Sequence, residues 1–187
     1  MTTPIPEVSV KPKPLYRRLG VFLCGAVATA VITFYVNAYL SRPAHEKTDE
    51  AALELKTGLG FVSAGDFTRA HAAFDRATAL DPMNSAAWAN LGAAAAKLGR
   101  PTEAIRAYEH SLTLDPDNWL AHYNLACLLT RQGERTEAIE HIARAVAQLK
   151  RTTHSRDELD SYIANIRADA ALKPLHKDSR FTALLAD

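Results

Sequence analysis

A stretch ending Leu80-Asp81-Pro82 returns further along the chain as Leu114-Asp115-Pro116, and the residues between the two copies match as well. Counting back from each proline aligns Gly58 with Gly92, Ala70 with Ala104, Phe74 with Tyr108 and Ala77 with Ser111. A third register places Leu125, Ala126, Ala138 and Ala145 at the same steps. Self-similarity at this spacing is the signature of a helical repeat array, in which each hairpin buries its apolar face only by stacking on its neighbours. The period therefore predicts an all-α chain whose core is built by stacking.

Residues 51–82, 83–116 and 117–150 each read as two antiparallel helices joined by a tight turn. The turns fall at Ala64-Gly65-Asp66, Gly99-Arg100 and Gly133-Glu134, with glycine supplying the left-handed residue past the helix end. Pro101 suits the first turn of its helix, where a missing N–H leaves no bond unmade. Small residues (Gly58, Gly92 and Ala126; Ala70, Ala104 and Ala138) mark where paired helices cross closely, and Phe74, Tyr108 and Ile142 fill the layer beside them.

Residues 19–40, LGVFLCGAVATAVITFYVNAYL, carry no charge. A helix of that length spans the ~30 Å hydrocarbon core of a bilayer. Tyr35, Asn37 and Tyr39 gather near one end, where interfacial side chains belong. Cleavage after Ala28-Thr29-Ala30 would leave Val31 to Val36 as an apolar terminus, so the segment reads as an uncleaved signal anchor. Lys11, Lys13, Arg17 and Arg18 precede it, whereas Arg42 and Lys47 after it are mixed with Glu46, Asp49 and Glu50. That bias keeps the N-terminus cytoplasmic and sends the repeats into the periplasm of a bacterial inner membrane. Gly25, Ala26, Ala28 and Thr29 are small enough for close packing against a transmembrane partner. Residues 1–18 read as a basic, proline-rich, solvated tail and 41–50 as a linker.

The middle unit resembles a tetratricopeptide repeat at Trp88, Leu91, Gly92, Ala104, Tyr108 and Pro116. Ala95 departs from the usual large aromatic, which Phe61 supplies in the first unit; the third has His122 for the Trp and Lys150 for the closing Pro. The resemblance implies a right-handed α-solenoid of three repeats, with a concave groove lined by the first helix of each pair. The groove positions are then Leu55, Leu59 and Val62 in the first repeat. In the second they are Ala86, Ala89, Ala93 and Lys97, and in the third Leu120, Tyr123, Cys127 and Arg131. Such an apolar, alanine-floored surface suits an apolar helix or extended strand from a protein partner. The alternative is that the chain covers it with its own cap or linker. Of the family's carboxylate clamp only Asn90 matches, with Leu55, Leu59, Leu120 and Asn124 at the other places; Asn90 and Asn124 read instead as hydrogen bonds between helices.

Residues 151–187 break the pattern and resemble the helical cap that closes many bacterial arrays. Ser155-Arg156-Asp157-Glu158 is a capping box opening a helix to about Leu172, with Leu159, Ile163 and Ile166 on one stripe. Leu175, Phe181 and Leu184 are expected over the open end of the third repeat.

The formal charge of +1 leaves no global field for nucleic acid, and two cysteines, Cys24 and Cys127, make no disulfide framework. No two of the seven histidines stand at i, i+3 or i+4, and no zinc spacing, phosphate loop or nucleophile elbow occurs. The sequence thus points away from an enzyme, a cofactor, a metal and a small-molecule substrate. It points to a membrane-anchored scaffold, an accessory subunit or assembly factor of a membrane or envelope complex, held in the bilayer through residues 19–40. The layout also fits a chaperone-like receptor that holds client chains at the membrane, associated with a translocon or with cytochrome maturation.

Overall fold

The computed structural model describes residues 44–186, together with Val31 and Thr33. The predicted tail at 1–18, and the span at 19–40 with Gly25, Ala26, Ala28 and Thr29, lie outside the described residues but for those two helical positions. Among the described residues no helix is long and apolar enough to cross a membrane.

Six helices form three hairpins: α1 (Ala44–Ser63) with α2 (Phe67–Leu80), α3 (Ser85–Lys97) with α4 (Pro101–Leu114), and α5 (Trp119–Gln132) with α6 (Arg135–Thr152). Every element among the described residues is helical, as the repeat period requires. The stretch expected as a linker at 41–50 is helical from Ala44 onward. Its residues are mostly good helix formers, and Glu46 in the first turn complements the helix dipole.

The period extends to the hydrogen bonds. Gly65, Gly99 and Gly133 take φ of 75°, 72° and 90°, the left-handed region that only glycine enters freely. Asp66, Asn84 and Asn118 cap α2, α3 and α5 by accepting from Arg69, Ala87 and Ala121 N–H at 2.9–3.0 Å. Asp81 and Asp115 each accept from the N–H two residues on, at 3.1 and 3.2 Å, which sets the Asp-Pro turn. The Trp88 indole donates to the Pro82 carbonyl at 2.9 Å, and His122 Nε2 meets the Pro116 carbonyl at 3.1 Å in the equivalent place.

The predicted core positions are buried. Ala70, Ala104, Ala126 and Ala138 are fully enclosed, as are Phe74, Tyr108 and Ile142. A Cβ on Gly92 would lie 3.1 Å from both the Ala104 carbonyl oxygen and the Tyr108 ring, and one on Gly58 would collide with the Phe74 ring. The absent side chains are what let the paired helices approach. Phe74 and Leu91 with three alanines knit repeats one and two, while a larger cluster joins repeats two and three to the C-terminal element.

That element is α7 (Arg156–Ala168), a 3-10 turn (Ala170–Leu175) and α8 (Ser179–Leu184). Ser155 caps α7 by accepting from Glu158 N–H. The helix expected to continue to about Leu172 ends at Ala168. Asp169 accepts from Ala171 N–H at 2.7 Å and caps the 3-10 turn instead. Leu172, Leu175 and Phe181 are buried as a lid over the third repeat. Leu185, 3% exposed, is the buried partner there, and the expected Leu184 is only half-buried. Of the stripe on α7 Ile166 is buried, while Leu159 and Ile163 are half-buried.

Candidate functional site: the groove and its own cap

The candidate site lies along α1, α3 and α5, and it divides into an open and a filled portion. On α1, Leu59 is 45% exposed and Val62 38%, large values for apolar side chains in a domain that buries most others. Leu55 sits half-buried against the cluster of repeats one and two. On α3, Ala86 is exposed, Ala89 and Ala93 are half-buried, and the Lys97 ammonium lies 5.9 Å from the centre of the Phe67 ring. Alanine at these positions leaves little side chain between the α3 backbone and anything that docks there.

The third repeat is different. The Tyr123 hydroxyl donates to Asp169 Oδ2, and the Cys127 thiol reaches the same oxygen at 3.8 Å. The 3-10 turn that Asp169 caps packs on α5, so the chain's own cap occupies this part of the groove face. Leu120, 50% exposed, and Arg131, also exposed, remain open at the two ends of α5. Thr130, which the repeat register places beside Arg131, is buried and donates to the Ala126 carbonyl at 2.7 Å. Sequence reasoning misses Asp169 as a groove residue, because its partners lie 46 and 42 residues away and no spacing signals them.

Electrostatics follow from this enclosure. Burial first, and the Asp169 charge second, push the Cys127 thiol up to about 12. Burial and the bond to Asp169 likewise raise the Tyr123 phenol above its ordinary value. A thiol so disfavoured as thiolate is a poor nucleophile. Alkylation of Cys127 by iodoacetamide at mildly alkaline pH is therefore expected to run at least about 100-fold slower than for a free thiol. Peptide mapping by mass spectrometry checks it, and Asp169→Ala should accelerate the reaction.

The two asparagines separate. Asn124 lies near the Tyr108 phenol of α4, the helix pair it is expected to join. Asn90 donates to Ala86 of its own helix at 2.8 Å, so it spans no interface. Among the described residues no group of three His, Cys, Asp or Glu could hold a metal ion.

A second set of clefts lies between neighbouring repeats. Asp75, Trp88, Leu91, Glu103, Ala107 and His110 are among those lining one of about 550 Å³. The positions one repeat further on, Glu109, His122, Leu125, Glu137, His141 and Arg144, line another of about 270 Å³. In the first, Trp88 and His110 pack with ring centres 4.2 Å apart. In the second, His122 and His141 meet Nδ1 to Nδ1 at 2.7 Å.

A tetratricopeptide repeat family model matches residues 55–118 and again 94–152, together more than half of the chain. No curated protein matches at the sequence level. Among solved structures, the second such domain of Spaghetti (RPAP3), bound to an HSP90 peptide, is 25% identical, with a TM-score of 0.54 over 56% of this chain and 96% of that one. The Yersinia enterocolitica type III secretion translocator chaperone SycD is 20% identical, covering 73% of this chain and 92% of its own, with a TM-score of 0.57. MamA is 24% identical, with a TM-score of 0.53, and this chain spans 61% of its length. With the repeat motif matched twice in overlapping registers and stacked as hairpins in the structure, the chain belongs to the tetratricopeptide repeat family.

Proposed function

We propose that this chain is a membrane-anchored interaction scaffold, an accessory subunit or assembly factor of a membrane or envelope complex. The fold of the family serves protein–protein interaction, and its members are generally not enzymes. The observation that carries the reading is the open groove of repeats one and two, where Leu59 and Val62 stand exposed beside the Ala86–Ala93 floor. A monomer gains nothing from leaving such side chains in water, whereas a docked apolar helix or strand would bury them. That the similar Spaghetti domain is bound to a peptide supports this use of the groove. An HSP90-type terminus is disfavoured, because Asn90 alone matches the clamp and Leu55, Leu59, Leu120 and Asn124 stand at its other places.

The anchor part of the proposal rests on the uncharged residues 19–40 and the basic residues before them. Tethering to the bilayer confines the groove to a thin layer and raises its effective concentration for a partner held there. Purification of the whole chain in detergent is expected to bring down one partner in fixed stoichiometry. Varied, substoichiometric clients would favour the receptor reading instead. A reporter fused after Asp187 is expected to be active outside the cytoplasm, and cytoplasmic activity would reverse the orientation.

A further inference from the structure

Repeats two and three hold the same position with different chemistry. Repeat two packs Trp88 of its first helix near Ala107 of its second; at the same steps of repeat three, His122 and His141 stand there. A large and a small residue have been exchanged for two of middle size, with ring centres 5.0 Å apart. His122 is 2% exposed.

The hydrogen bonds fix where the protons are. The Pro116 carbonyl can only accept, so His122 Nε2 carries a hydrogen and donates to it at 3.1 Å. In the neutral ring His122 Nδ1 is then a bare acceptor, and His141 Nδ1–H must supply the donor across 2.7 Å. One further proton can be taken on His141 Nε2 with the Nδ1–H···Nδ1 bond kept. A second turns both facing nitrogens into donors and sets two cations in contact. We propose that the His122–His141 contact is an acid-sensitive latch between the two helices of the third repeat, closed at neutral pH and opened by protonation.

The surroundings set the direction. Arg144, one turn along α6 from His141, opposes charge on both rings. Asp115 and Asp117, in the turn before α5, favour it on His122, though Asp117 also meets Arg151 at 3.6 Å. Glu109 of α4 and Glu137 of α6 line the same cleft. Burial outweighs these carboxylates: it holds His122 below the ordinary 6.5, and burial with the neighbouring His122 brings His141 to about 4. Between those values the unfolded chain takes up a proton that the folded chain excludes. Stability is therefore fully present above pH 6.5 and falls as pH drops toward 4. The cap leans on the same hairpin, its 3-10 turn on α5 and α8 on α6, so opening the latch also loosens the cap's seat.

The test transplants the arrangement of repeat two. The full chain in detergent, wild type and H122W/H141A, is unfolded in urea at pH 7.5 and pH 5, with hydrogen exchange followed over α5, α6 and the cap. The wild-type unfolding constant is expected to rise by roughly tenfold to thirtyfold more than that of the double variant on acidification. Extra exchange should be confined to the third repeat and the cap. The remaining histidines are common to both proteins and cancel. If the double variant does not fold, H141N gives the same reading, because its amide nitrogen can donate where Nδ1 did and does not titrate. Equal acid responses in wild type and variant would overturn the latch.

Discussion

Replacing Tyr108 with alanine is expected to lower the unfolding free energy by about 4 kcal/mol, measured by urea unfolding followed by circular dichroism. The side chain is 2% exposed, and its ring lies against Gly92, where a Cβ would sit only 3.1 Å from it. Its ring shares one buried cluster with Leu125 and Ala126 of α5, so one residue ties the hairpin of repeat two to the first helix of repeat three. Truncation leaves a large cavity at the centre of a stack in which each unit is stabilised by its neighbours. Tyr108→Phe keeps the ring and removes only the hydroxyl, so it should cost no more than about 1 kcal/mol. Were Tyr108→Ala to cost under about 1 kcal/mol, the ring would not be the keystone that its burial indicates.

Tyr108 also shows how much of the fold is legible in the sequence. A period is a statement about geometry: Gly58 and Phe74 in one copy, and Gly92 and Tyr108 in the next, stand at the same steps and must meet in the same way. The hairpins, their caps and the buried layer can be read from the repeat for that reason. The cap follows less closely. Asp169 reads as an interior residue of a longer helix, because only the tertiary contact reveals that its carboxylate does better capping a 3-10 turn and receiving Tyr123. His141 is silent for a related cause. Its partner is 19 residues away on an antiparallel helix, a separation that no i, i+4 search samples, although alignment of the pair with Trp88 and Ala107 contains the signal. Position in the repeat gives the direction of Tyr123 and Cys127 along the groove. It cannot give their occupancy, which depends on chain outside the repeats.

That division of the groove determines which substitutions report on binding. Leu59→Glu together with Ala86→Glu is expected to weaken capture of the partner by more than about 100-fold while leaving thermal unfolding nearly unchanged. Both positions are exposed, both replacements are good helix formers, and Ala86 lies in the first turn of α3, where a carboxylate suits the helix dipole. Folding therefore has little reason to resist them. A docked apolar segment does: each carboxylate would be buried without a counter-charge, a penalty of several kcal/mol per group. Ala72→Glu, at an exposed site on the second helix of repeat one, introduces the same charge away from the groove and should leave capture intact. Tyr123→Asp is a poor probe by comparison, since it sets a carboxylate against Asp169 and strikes the cap before any partner. Quantitative pull-down from detergent-solubilised membranes decides the matter. If the Leu59/Ala86 pair retains full capture with an intact fold, the partner binds elsewhere, and the exposed apolar strip of α1 is left without a role.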